Sequence, residues 1–181
     1  MEAGIARIAE AIRRILPETP PEVMLLLEND VGAGNSLGHS FEQLRDILAL
    51  LPEYQERLGV CIDTAHLWGA GHDISTAEST RQVLEQIDAT IGLPRLHVIH
   101  LNDTAMALGS HRDVHARLGD GILGEEGLRT LLRDPRLQHA TVILETPIQT
   151  LEQEKEDWEH DKRHFEQALK LVQPEQDDII S

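Results

Sequence analysis

Four short apolar runs rich in branched side chains punctuate the chain: Val23–Glu28, Leu58–Asp63, Leu96–His100 and Thr141–Glu145. Runs of this length between turn residues predict parallel strands covered on both faces. The segments between them carry a helical period instead. Phe41, Leu44, Ile47, Leu48 and Leu51 share one face of a helix starting near Ser40, a suitable N-cap. Val83, Leu84, Ile87 and Ile91 do the same for a helix beginning near Thr76, with Glu78 and Glu85 on its wet side. Leu128, Leu131 and Leu132 predict a shorter helix that stops near Asp134-Pro135. Ahead of the first strand, Ile5, Ile8, Ala11, Ile12 and Ile15 predict a helix over 4–15, broken by Pro17, Pro20 and Pro21. The charged stretch from Leu151 to Leu171 predicts a solvated helix docking through a narrow stripe of Trp158, Phe165, Leu169 and Val172. Pro174 to Ser181 is expected to fray. Strands alternating with helices in this way define an α/β fold with a parallel sheet.

Composition narrows the class. At 181 residues and 40% apolar content, the chain is expected to form one packed domain. No apolar run approaches the ~20 residues of a membrane span. The first residues lack the basic and apolar regions of a signal peptide. The single cysteine, Cys61, fits a reducing compartment, so a soluble, cytoplasmic protein is expected. A net charge of −16 argues at first against nucleic acid. Carboxylates that hold cations reverse that argument locally, because each divalent ion adds two positive charges.

Each predicted strand ends in a residue able to ligate a metal: Glu28, Asp63, His100 and Glu145. Ligands in parallel α/β folds collect at the carboxyl ends of the strands, so these four side chains are expected to share one space. Asp63-Thr-Ala-His66 adds a ligand about one helical turn beyond the strand. Asp113-Val-His115 places a carboxylate and an imidazole on the same side of an extended segment. Seven donors exceed the three or four of a mononuclear site, implying two or more ions. Mixed imidazole and carboxylate suits zinc, with manganese also possible, better than magnesium. Taken singly, a strand-end carboxylate is more often a helix N-cap or loop partner. The remaining histidines, among them His39, His72, His97, His111, His139 and His164, are expected to be packing or surface residues. Cys61 is read as a small buried apolar residue off the ligand side of its strand. Gly32-Ala-Gly34 with Gly38 lacks the residues of a P-loop and is read as a loop after a strand.

Read in order, five blocks resemble the endonuclease IV family: Leu-Glu-Asn around Glu28 with a following Gly-x-Gly; Gly-Val-Cys-Ile-Asp-Thr-x-His; His-Leu-Asn-Asp; Gly-Ser-x-x-Asp-x-His-x-x-Leu-Gly-x-Gly; and Ile-Leu-Glu-Thr. The resemblance implies a TIM-barrel fold of the (β/α)8 type, here a partial barrel of about four βα units over 1–172, with 173–181 as a tail. It implies an apurinic/apyrimidinic endonuclease of base-excision DNA repair, using up to three zinc ions to hydrolyse the phosphodiester 5′ to an abasic site. In that pattern Glu28 bridges two ions, Asp63, His100 and Glu145 complete the second, and His66, Asp113 and His115 hold the third. Two histidines for the first ion come from earlier strands with no counterpart here, so about two ions are expected. Glu145, with Glu28, is the expected catalytic carboxylate, and DNA containing abasic sites the expected partner.

A full barrel needs eight such units. The expectation is therefore a truncated chain that need not be active alone, or two copies that associate where the intact family is monomeric. Two other readings compete. A sugar isomerase or epimerase of the xylose-isomerase-like barrels also gathers Glu, Asp and His at strand ends, but has no use for the Asp113–His115 pair. A degenerate, non-catalytic fragment would bind little or no metal.

Overall fold

The structure is a computed structural model that describes residues 1–145 and 154–173. Helix α1 (Glu2–Ile15) precedes strand β1 (Leu25–Glu28). Helix α2 (Phe41–Ala49) leads to β2 (Leu58–Asp63), which runs straight into α3 (Thr64–Ala70), then α4 (Ala77–Thr90). Strand β3 (Leu96–His100), α5 (Glu125–Leu132), β4 (Thr141–Ile143) and α6 (Glu154–Val172) complete the order. The four strands are all parallel and lie in the sequence order β1-β2-β3-β4, the arrangement of a partial α/β barrel.

The two faces of the sheet differ. Leu58, Val60, Ile62, Leu96 and Ile99 point to the helices and pack with Leu44, Ile47, Leu84, Ile87 and Leu131 in one continuous core. The register pairs Glu28 with Cys61 and Asp63 with His100, so these side chains share the opposite face, which also bears Gly59 and Val98. Gly59 has no room for a side chain there. A Cβ would stand 2.3 Å from the His97 ring and 2.8 Å from Leu26, which close over β2 from both neighbouring strands.

Helix ends follow their local chemistry. Thr76 caps α4 through a full capping box with Ser79. Ser40 stands at the N-cap of α2 without a side-chain bond. The two outer strands are shorter than their apolar runs suggest. Pairing of β1 begins at Leu25 against Leu58, leaving Val23 and Met24 exposed, and β4 ends at Ile143. Among the described residues each outer strand is paired on one side only, which leaves the flanking residues no ladder to join.

Helix α6 corrects a second expectation. Trp158 and Phe165 are 70% and 57% exposed, and Leu169 and Val172 also face out. The helix docks instead through His164 and Leu171, with Ala168 packed against the core. The expected stripe is a genuine helical face, but the polar anchors decide the rotation. His164 Nδ1 bonds the Leu118 carbonyl at 3.2 Å, and Arg133 donates to the Leu171 carbonyl at 3.0 Å. The expected fraying of 174–181 and the start of this helix near Leu151 lie outside the described residues. No helix among the described residues is long and apolar enough to cross a membrane.

Candidate metal centre

All seven predicted donors come together at the carboxyl end of the sheet. Asp63, fully buried, ends β2 and caps α3 by accepting the His66 N–H at 2.9 Å. The common role of a strand-end carboxylate as an N-cap and its place in the cluster therefore coexist. Its other oxygen, Oδ2, lies 3.5 Å from His115 Nε2. Asp113 Oδ1 stands 3.2 Å from His66 Nε2 and 3.3 Å from His115 Nε2. On the other side of Asp63, His100 Nδ1 is 3.1 Å from Glu28 Oε1 and 3.4 Å from Glu145 Oε2. Glu145 lies beyond the last residue of β4, and its N–H bonds the Asn102 side chain at 3.1 Å.

Three groups each bring one donor atom per residue within 4.8 Å of the others: Asp63, His66 and His115; Asp63, His100 and Glu145; and Glu28, Cys61 and His100. Asp63 and His100 each serve two groups, so the three form one continuous chain of donors. Its chemistry can be tested on the free atoms. His66 Nε2 and His115 Nε2 are buried and make no hydrogen bond, despite the nearby carboxylate oxygens. Buried polar atoms without partners are costly. Four donors set tetrahedrally at about 2.0–2.1 Å from an ion would stand about 3.3–3.4 Å apart. The observed spacings of 3.2, 3.3 and 3.5 Å match that requirement. The residues fit a metal.

Protonation supports the same arrangement. His66 Nδ1 donates to the Asn29 carbonyl at 2.9 Å, and a carbonyl only accepts, so the neutral ring keeps its lone pair on Nε2. Burial resists charging this ring, yet the Asp63 charge, the Asn29 carbonyl and Asp113 outweigh it and raise its pKa. Cys61 is a correction. A strand alternates with period two, so residues 61 and 63 share a face, and the thiol lies on the ligand side beside Glu28. Its burial was expected and is found. That burial, with the charges of Glu28, Asp63 and Glu145, pushes the thiol up to about 12, which keeps it neutral.

Other residues of the site were not singled out from the sequence. Asn29, buried, accepts the Asp63 N–H at 2.7 Å and donates to the Asp63 carbonyl at 3.2 Å. Asn102, also buried, donates to Asp63 Oδ2 at 2.6 Å and to Glu145 Oε2 at 3.0 Å. The sequence signal for either was its place inside a block of the family resemblance, Leu27-Glu28-Asn29 and His100-Leu101-Asn102-Asp103. The histidines set aside are packing residues where their contacts are seen. His72 stacks on Phe41 with centroids 4.4 Å apart, and His111 bonds the Val31 carbonyl at 2.7 Å.

A parallel sheet with a candidate donor cluster at its carboxyl end is the arrangement of a TIM-barrel site, and comparison with known proteins agrees on the fold. The family model described as xylose isomerase-like TIM barrel matches residues 1–168, and the chain belongs to that family. Curated proteins it is similar to include several named probable endonuclease 4. That of Chloroflexus aurantiacus is 41% identical over 173 residues, covering 95% of this chain and 58% of the relative. That of Geobacter sulfurreducens is 45% identical over 147 residues, covering 81% of this chain and 49% of the relative. The crystal structure of endonuclease IV from Thermus thermophilus superposes with a TM-score of 0.70 at 36% identity, over 91% of this chain and 58% of that one. The resemblance carried by the five sequence blocks is thus matched by whole-chain similarity. The chain spans about half the length of the curated relatives it matches.

Proposed function

We propose that this chain carries the metal-binding mouth of a zinc-dependent apurinic/apyrimidinic endonuclease of base-excision repair, acting in the cytoplasm on DNA that contains abasic sites. The observation that carries this reading is the meeting of His66, His115, Asp113 and Asp63 with two buried, unbonded imidazole nitrogens. The endonuclease names of the relatives support the same chemistry.

In this reading Asp63, His66, Asp113 and His115 would hold one ion, and Asp63, His100 and Glu145 a second, with Glu28 beside His100 as a further carboxylate donor. Zinc, when bound there, supplies positive charge that lowers the pKa of a nearby water and neutralises phosphate oxygens. The remaining work falls to the chain's own groups. Glu145, tied through Oε2 to Asn102, has a side chain 43% exposed, so it can orient a water and take up its proton. Glu28, 39% exposed, faces the same opening and sets the other wall of the phosphate position. Asn29 and Asn102 keep Asp63 and Glu145 from turning as charge builds on the substrate.

The expected result with zinc-loaded protein and a duplex bearing one abasic site is incision on its 5′ side, leaving a 3′-hydroxyl. Glu145→Gln should abolish that incision and weaken zinc only at the His100 group, leaving the ion at His66 and His115 in place. Wild-type rates in Glu145→Gln would remove its role. Ketose isomerisation without DNA cleavage would move the assignment to a sugar isomerase, a reading the Asp113–His115 contact with His66 does not favour.

A further inference from the structure

The loop from Asp103 to Leu123 delivers Asp113 and His115 to the site, yet it contains no regular helix or strand. Something must hold it. The carboxylate of Asp103, only 2% exposed, accepts four backbone N–H groups. Oδ1 takes those of Thr104 at 2.8 Å and Leu123 at 3.1 Å, and Oδ2 takes those of Gly119 and Gly121 at 3.1 Å each. Backbone bonds add to the tie. The Ala116 N–H donates to the Asp103 carbonyl at 2.7 Å, immediately after His115, and the Ile122 N–H donates to the Thr104 carbonyl at 2.9 Å. Thr104 Oγ1 donates to the Val114 carbonyl at 2.7 Å, immediately before it. The turn is shaped to this carboxylate. A Cβ on Gly121 would stand 2.1 Å from Asp103 Oδ1 and 2.6 Å from the Thr104 carbonyl oxygen.

We propose that Asp103 is a positioning residue for metal binding: it clasps the Gly119–Leu123 turn to the end of β3 and thereby sets His115 and Asp113 against Asp63 and His66. It is not itself a ligand. The clasp also explains why His-Leu-Asn-Asp103 and Leu-Gly119-x-Gly121 occur together, since one supplies the acceptor and the other the donors. The inference rests on the reading that the donor cluster holds metal.

Two variants break the tie from opposite ends. Asp103→Asn replaces one acceptor oxygen with a donor facing backbone N–H groups, and Gly121→Ala pushes the turn off an intact carboxylate. The full chain is titrated with zinc while ring nitrogens are followed by proton–nitrogen NMR, which separates His66 and His115 from His100. Parent protein should show all three rings responding. Each variant that keeps its folded spectrum should need about 10–100-fold more zinc to shift His115 and His66, with His100 nearly unchanged, in the range of losing a partner that orients a ligand. Zinc responses equal to the parent in both variants would overturn the clasp while leaving the metal reading intact. So would a uniform loss at all three histidines or collapse of the fold in both variants, since the role would then be structural alone. No response at any histidine in the parent would instead overturn the metal reading, and the clasp with it.

Discussion

Asp63, His66 and His115 sit in a nest of fixed hydrogen bonds, whereas Glu28 and Glu145 stand at the open rim of the same sheet. The Asp63 side chain is 0% exposed and those of His66 and His115 are 14% and 20% exposed, against 39% and 43% for the two glutamates. The inner group lies where β2 passes directly into α3, so an N-cap, a buried Asn29 and the Asp103 loop all constrain it. The rim group lies on the outer strands, which pair on one side among the described residues. Rigid, buried donors favour tight metal binding, and solvent-facing carboxylates favour contact with water and substrate. Under the proposed function, the two regions divide holding from reacting.

That division predicts unequal mutational effects. Asp63→Ala should have the largest, because Asp63 belongs to two of the three donor groups. It should weaken zinc at both by more than about 100-fold, beyond the cost of losing an outer partner. It should also cost about 2–4 kcal/mol of stability through the lost cap and the buried amides left without partners. Calorimetric zinc titration and chemical denaturation measure the two parts. If zinc binding fell at one group only, the shared role of Asp63 would be wrong. Asn102→Ala should act more narrowly. It frees Glu145 and one oxygen of Asp63, so zinc at the rim group should weaken about 10–100-fold, while His66 and His115 respond as before.

The smallest effect is one of pH. The raised His66 pKa means that the metal-free ring holds its proton to higher pH than an ordinary imidazole near 6.5. In the metal-free protein this contributes stability that is fully present below about pH 6.5 and lost as pH rises through the raised value. Zinc requires the neutral ring, so zinc affinity at the inner group should fall with acidification, beginning above pH 6.5. Zinc titrations between pH 8 and 6 check this. His66→Gln should remove that part of the pH dependence and leave the His100 response in place.

Much of this was legible in the chain because it depends on short-range period. The four apolar runs became four parallel strands, and Thr76 became the cap of α4. The seven donors were legible as a set because strand ends converge in parallel folds, although the sequence placed Glu145 on β4 and the structure places it just beyond. What escaped depends on contacts between distant segments. Asn29, Asn102 and Asp103 are ordinary polar residues until β2, β3 and the 103–123 loop are brought together. Cys61 was misplaced by one step of strand alternation. The α6 stripe was drawn from its large apolar residues, but His164 and Leu171 found partners in Leu118 and Arg133, and these turned the helix.

The central claim is that the carboxyl end of this sheet holds zinc. Elemental analysis of the purified, monodisperse chain after zinc loading and removal of free metal tests it most directly. The account predicts about two zinc ions per chain, falling by about one in His66→Ala and by nearly all in Asp63→Ala. Fewer than one ion per chain, or a content indifferent to Asp63, would contradict it.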